Sequence, residues 1–388
     1  MTRRVVMVAD VDLGQPDATR VHTVEVARWF AAEGLEVDLV ARGPDPELPG
    51  VAYRAAADAG PINRWARAVA MNRVAIAALL RRRRGPRAAY VRDNPGLLPV
   101  LVAARLLGYR VVTQVDDMPF GPGYEAGGGG VAGFLDEHVS RLYTRLMLRL
   151  VRGVATVGEG IRRAYEEHYG AREGQVRVVG NGVDTDLFRP LDRDEAIRRA
   201  GLDPGCRYAV FVGLFTWWMD FETLIGGFAE AARDRAGARL VLVGDGPDRE
   251  RVERLAAEHG VADRVVLTGF VADRELVGAY VAAATVCLIG YRPEQRARTG
   301  AVPIKLPEYL AAGRAVVGIA MPGVSELLEE SGGGVAVAAD PAAVGEALRS
   351  LLDDPARADE LGAAGRRAVE HEHTWQAVVR RTIPLLGI

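Results

Sequence analysis

Short β-branched runs alternating with helical stretches constrain this chain more than any other feature. Residues 5–8 (VVMV) read as a buried strand, residues 14–20 as a loop, and residues 21–33 as an amphipathic helix closed by Gly34. Residues 37–40 form a further strand, apolar except for Asp38, and residues 89–91, 110–112 and 153–157 repeat the theme with helical stretches between them. Near-continuous apolar strands separated by helices indicate a parallel sheet covered on both faces. The alternation restarts after Pro190, with strands at 209–212, 239–243, 265–267, 285–289 and 315–319 and helices at 221–234 and 249–259. At ~150 residues per domain, a chain of 388 residues accommodates two such α/β domains. The turn-dense segment from Gly180 to Pro190, GNGVDTDLFRP, marks the connection.

Composition narrows the class of function. Hydrophobic residues make up 49% and charged residues 26%, the balance of a folded globular protein rather than a disordered one. Lys plus Arg number 49 against 51 Asp plus Glu, so no net positive charge points to nucleic acid or an anionic membrane. Cys206 and Cys287 form neither a disulfide framework nor a metal cluster, which suits a reducing cytoplasm. Asp10 and Asp12 interrupt the N-terminal apolar run before a signal-peptide core is complete, and the longest uncharged run, 279–291, is short of the ~20 residues that span a bilayer. The expectation is a soluble cytoplasmic protein without nucleic-acid or membrane partners; a homodimer stays open. Glycine is abundant, 45 residues, and four of them stand together at 127–130 inside a segment, 120–133, that lacks an apolar period. This segment reads as a loop beyond a strand end, where it could cover a ligand or simply lie on the surface.

The densest cluster of chemistry is PIKLPEYLAAG at 303–313. A helix starting near Lys305 presents free N–H groups and its positive dipole end to an anion, and Lys305 adds a full charge. Glu308, one turn on, can accept hydrogen bonds from both hydroxyls of a ribose. A Lys and a Glu at this spacing also describe an ordinary solvated helix pair.

PIKLPEYLAAGRAVV resembles the "P-x-K-x-x-E-Y-x-A-x-G-x-x-V-V" segment of glycosyltransferase family 4, retaining nucleotide-sugar enzymes of the GT-B fold. Five further segments resemble that family in order and spacing: VVGNGVDTDLFRP at 178–190, FVGLFTWW at 211–218, LVLVGDGP at 240–247, VVLTGFV at 265–271 and the terminal Thr374-Trp375. The resemblance implies two Rossmann-like domains facing across a cleft. Residues 1–180 would bind the acceptor and 190–375 the nucleotide sugar, and a last helix, 376–388, would cross back to the first domain. It implies a hexosyltransferase that needs no metal and no cofactor, only a nucleotide diphosphate sugar, UDP or GDP, as co-substrate with a small-molecule or natural-product acceptor.

Carried over residue by residue, the resemblance assigns the diphosphate to Lys305 and the ribose to Glu308. The opposing phosphate loop is Gly213, Leu214, Phe215 and Thr216. The base packs near Phe270 and Val271, the transferred sugar near Gly300, Ala301 and Val302, and Gly14 and Gln15 face the donor phosphate. Three departures accompany it: Gly300 stands where the family carries the first of two glutamates, Thr216-Trp-Trp-Met-Asp220 replaces a basic pair, and Asp116 and Asp117 replace a histidine. Those two aspartates suggest a metal-binding DxD pair only weakly. They read either as carboxylates that orient the acceptor nucleophile or steady positive charge at the anomeric carbon, or as loop caps. His22 and Arg20, on or beside the first helix, read as catalytic and acceptor-binding groups or as packing and surface residues. The basic run 81–84 reads as a solvated helix end or, as the resemblance to transferases that use such patches implies, as a contact for anionic lipid. A protein that keeps the fold in a binding or regulatory role is the alternative.

Overall fold

The computed structural model describes residues 3–15, 17–57, 64–81, 86–118 and 131–388. The chain divides into two compact units, Met1–Gly180 with Trp375–Ile388, and Asn181–Thr374.

The first unit is built on a parallel sheet of β1 (Arg3–Asp12), β2 (Leu35–Arg42), β3 (Val51–Ala55), β4 (Arg87–Arg92), β5 (Arg110–Val115), β6 (Gly153–Thr156) and β7 (Val176–Val178). Their spatial order is β3-β2-β1-β4-β5-β6-β7. Chain direction across the sheet reverses between β1 and β4, and in such doubly wound sheets ligands bind at this switch point, beyond the carboxyl ends of the strands. Val5, Val6 and Val8 are wholly buried, as a strand covered on both faces requires. Asp38, the polar residue within β2, is buried too, held by Arg4 at 2.5 Å and Arg54 at 2.6 Å.

The first helix, Ala18–Ala32, starts earlier than the apolar period indicates, because the Asp17 carboxylate caps it by accepting from the Arg20 N–H at 2.8 Å. The terminal helix, Trp375–Leu386, packs on the same unit. Trp375, Val378, Val379, Leu385 and Leu386 are buried there, and Gln376 and Arg380 donate to Glu33 at 3.0 and 2.8 Å. Within the 120–133 segment, helix Val131–Leu150 already begins at its last residues; the glycine stretch itself, like Arg82 to Arg84, lies outside the described residues.

The second unit carries β8 (Arg207–Val212), β9 (Ala238–Val243), β10 (Val265–Gly269), β11 (Val286–Ile289), β12 (Ala315–Ile319) and β13 (Gly334–Val337). All pair in parallel in the order β10-β9-β8-β11-β12-β13, with the switch point between β8 and β11. Both sheets are the α/β architecture expected from the alternation. Among the described residues no helix is long and apolar enough to cross a membrane.

Candidate active site

Where β8, β9 and β10 end, the chain turns three times on glycine, and the turns interlock. Gly213 donates to the Val243 carbonyl at 2.9 Å, Phe215 to the Asp245 carbonyl at 2.9 Å, and Gly244 to the Gly269 carbonyl at 3.1 Å. A Cβ on Gly244 would stand 2.0 Å from the Gly213 oxygen, so the backbones approach more closely than any side chain permits. The Phe215 ring is fully buried in a cluster with Phe211 and Phe221, which anchors the loop from below. Phe215 therefore serves the loop through its backbone. Thr216 is buried as well, and its Oγ1 has no hydrogen-bond partner. Leu214 and Phe270 stand more than half exposed at the ends of β8 and β10, while Val271 is half-buried.

Lys305 enters this space from the β11–β12 connection. Its helix, Lys305–Ala311, has seven residues, just under two turns, so the side chain rather than a long macrodipole supplies the positive charge. Nζ lies 4.5 Å from the ring centre of Phe211, at the end of β8, and 5.2 Å from that of Tyr291, just after β11. The ammonium thus sits at the switch point. A Cβ on Gly213 would stand 2.3 Å from it, so a side chain at that position would displace the ammonium. Among the described residues Lys305 makes no ion pair within 4 Å; its ammonium rests on two aromatic faces, each worth about 0.5–1 kcal/mol, with the Glu308 carboxyl one turn away. A half-buried ammonium without a counter-ion is a site prepared for an anion.

Glu308 follows one turn later, largely buried, with Arg274 at 3.3 Å. Burial pushes its carboxyl up to about 7, aided by Asp184 and opposed by Arg274 and Lys305. Gly300 has φ +56° and ends the short turn Ala297–Thr299. Ala301 is buried and donates its N–H to Thr299 Oγ1 at 3.3 Å, and the Val302 carbonyl accepts from Asn181 at 2.9 Å. The 213–216 turn and the 300–308 segment with Lys305 and Glu308, distant in sequence, are thus placed around the carboxyl edge of one sheet. Arg274 and Tyr291 join them without having carried a sequence signal, since their contacts arise from the packing of elements distant in sequence.

In the first unit the switch point between β1 and β4 is crossed by Asn94 donating to Asp10 at 3.1 Å, with Arg42 on the other oxygen of Asp10 at 2.8 Å. Gly14 and Gln15 are exposed on the loop after β1, where Asp12 accepts from the Gly14 N–H at 2.9 Å. Arg20 folds back onto that loop, its Nε donating to the Leu13 carbonyl at 2.8 Å. His22 is buried, edge-on to Trp375 with ring centres 5.0 Å apart, and Gln114 Nε2 lies 3.0 Å from its Nε2. Burial lowers its pKa to about 4, Asp116 opposing and Arg92 assisting, so the ring is neutral at pH 7.

Asp116 is ion-paired with Arg92 and accepts from Gln114 at 2.6 Å. Burial raises its pKa, but Arg92, His22 and the Gln114 bond outweigh that and hold it below the usual carboxylate range. Asp117 accepts from the Met118 N–H at 2.9 Å, a loop-fixing bond. The two neighbouring aspartates thus have separate partners. Among the described residues no group of three or more His, Cys, Asp or Glu side chains converges on a metal position.

Residues 19–187 match the family model described as Glycosyltransferase Family 4, and residues 206–354 that described as Glycosyl transferases group 1. D-inositol 3-phosphate glycosyltransferase 1 of Catenulispora acidiphila is 29% identical over 95% of this chain and 90% of its own length. The GDP-mannose-dependent alpha-(1-6)-phosphatidylinositol monomannoside mannosyltransferase of Mycobacterium tuberculosis is 33% identical over 53% of this chain, about half (54%) of the relative's length. Among solved structures, sucrose-phosphate synthase from Thermosynechococcus elongatus superposes with a TM-score of 0.76 at 19% identity, covering 99% of this chain and 98% of that one.

Proposed function

The chain belongs to the GT-B glycosyltransferases, with a family 4 domain followed by a group 1 domain, and from that premise we propose that it moves a hexose from a nucleotide diphosphate sugar to a small-molecule or natural-product acceptor with retention of configuration. One observation carries the reading: the ammonium of Lys305, without a counter-ion, lies at the β8/β11 switch point in the space that Gly213 leaves open. A diphosphate there gives the cation its counter-charge, and within the Gly213 to Thr216 loop, whose Gly213 and Phe215 N–H groups are bound to the Val243 and Asp245 carbonyls, the backbone of Leu214 is left to approach the same anion.

Glu308 takes the ribose hydroxyls, the Phe270–Val271 strand end takes the base, and the 300–302 segment lies beside the sugar. In the reaction the bond from the anomeric carbon to the diphosphate oxygen breaks, and the acceptor forms its new bond on the same face. The acceptor proton passes to the departing diphosphate, whose charge Lys305 neutralises. Gly14, Gln15, Arg20 and Asp117 edge the acceptor side; Asp116 and His22 act behind them as positioning residues. No cofactor beyond the nucleotide sugar enters this scheme. The two free cysteines, one of them buried, favour a reducing cytoplasmic setting.

A thermal-shift panel with UDP, GDP and dTDP tests the reading. We expect at least one nucleotide to raise the melting temperature of the wild type and to lose that effect in K305A. If none of the three does so, the donor assignment fails. Gly300, with no carboxylate for the sugar, favours a second reading in which the protein binds a nucleotide sugar without transferring it. Release of free sugar from a bound donor would reject that alternative.

A further inference from the structure

A cavity of about 500 Å³ opens in the second unit at the edge of the sheet opposite to Lys305. Its wall includes Arg314, directly before β12, whereas the lysine lies beyond the carboxyl ends of β8 and β11. Arg193, Arg366 and Arg367 complete a lining of four guanidinium groups, faced by one carboxylate, Asp359. That carboxylate is shared: Arg193 reaches Asp359 Oδ1 at 2.6 Å and Arg314 lies 3.8 Å from the same oxygen. Asp359 is itself more than half exposed, which weakens its hold on either cation.

Arg314 is buried, 6% exposed, and donates to the Leu191 carbonyl at 3.2 Å. Burial, then the neighbouring Arg193 charge, depress its pKa, and Asp359 offsets this only in part. The Nε atoms of Arg193 and Arg314 are both buried without a hydrogen-bond partner. Arg366 is anchored by the Phe188 and Ala311 carbonyls at 3.1 and 2.7 Å and by Glu370 at 3.1 Å. With Asp359 and Glu370 counted against the four arginines, the cluster keeps a net charge of +2. Two buried donors without acceptors and an uncompensated positive charge are costly, and an anion in the cavity offsets the charge.

We propose that this cavity is a second anion site, separate from the donor site, that takes a dianionic phosphoryl group. Guanidinium forks match phosphate oxygens, and the charge of +2 suits a dianion better than a single carboxylate. A volume of about 500 Å³ exceeds what the phosphoryl group fills and leaves room for a small organic moiety, so a phosphate monoester fits better than the free ion. Arg314 and Arg366 also hold carbonyls of residues 185–191, so the occupied site bears on the segment that leads into this unit.

Calorimetric titration of the full chain with inorganic phosphate and with glycerol 3-phosphate tests the site in the wild type, R193Q, R367Q and K305A. We expect binding in the wild type, weakened about tenfold in R193Q and in R367Q, since each removes a charge-assisted hydrogen bond, and unchanged in K305A. Arg367 is exposed, so its variant folds even where R193Q does not. A tighter monoester identifies a phosphorylated metabolite, and equal affinities identify the free ion; either supports the site. Unchanged affinity in R367Q and R193Q, loss of binding in K305A alone, or no binding at millimolar concentration overturns it. Because K305A is read separately, failure here leaves the donor reading standing, and the reverse.

Discussion

Replacing Glu308 by Gln should make the ligand-free protein more stable and the nucleotide-bound protein less so. Burial moves this carboxyl from 4.5 to about 7, a gap of about 2.5 pH units, or roughly 3 kcal/mol between its two protonation states. The folded chain therefore holds the proton more tightly than the unfolded chain. The stability contributed by Glu308 is complete below pH 4.5 and is lost as pH rises through 7. The E308Q variant has no ionisation to suppress, so its advantage is small at pH 5 and approaches about 3 kcal/mol at pH 8. For a unit of this size one kcal/mol moves the melting temperature by roughly 2–4 °C, so the pH 8 advantage is roughly 6–12 °C. Thermal unfolding of both proteins at pH 5 and pH 8 measures it. An equal offset at the two pH values refutes the buried-carboxyl account. With saturating nucleoside diphosphate the order should reverse at pH 8, because the carboxylate then accepts from the ribose; unchanged nucleotide affinity in E308Q sinks the ribose assignment alone.

Other substitutions separate stability from binding. K305A should cost about 1 kcal/mol in stability, since Nζ has aromatic faces rather than an ion pair to lose, yet weaken nucleoside diphosphate binding by roughly 10- to 100-fold in calorimetry. Unfolding of K305A at room temperature would contradict the first half. G244A places a methyl 2.0 Å from a backbone oxygen that cannot swing away, and should lower stability by about 2–4 kcal/mol in denaturant titrations. The His22 pKa is lowered from 6.5 to about 4, so its contribution is present above pH 6.5 and lost as pH falls through 4. The H22Q variant should escape that loss, of about 3 kcal/mol, and denaturation curves of the two proteins that shift in parallel between pH 7 and 4 would disprove it.

The strands that the apolar pattern leaves unread are β3, β7 and β13, and all three are edge strands. An edge strand has a neighbour on one side only, so its side chains meet less of the core. β3 (VAYRA) has no fully buried residue, β7 is three residues long, and β13 follows a run of glycines with its two central residues exposed. The interior strands of the second unit, by contrast, are read at nearly their true length because both faces are covered by helices and most positions are apolar. In the first unit β1, β2, β4 and β5 are read at half their length or less, because charged and polar residues such as Asp10, Arg42, Arg87 and Gln114 stand toward their ends. Lys305 and Glu308 were legible for a different reason, as parts of one contiguous motif. Arg274, which meets Glu308 across 34 residues, was not, since no local pattern encodes that distance.

Gly300 shows why the residue types alone mislead about the site. In sequence it is an absent carboxylate, a single lost side chain. In the structure its φ of +56° lies in the left-handed region, which costs a residue with a Cβ roughly 1 kcal/mol or more. The turn it closes is tight on both sides: Thr299 is buried and holds the Ala301 N–H, and a Cβ on Gly323 would stand 2.7 Å from the Ala301 carbonyl. The backbone here depends on two glycines, Gly300 and Gly323. A carboxylate added at position 300 would first have to strain this turn, so G300E should lower stability by roughly 1 kcal/mol or more in denaturant titrations, and an unchanged midpoint would contradict the strain.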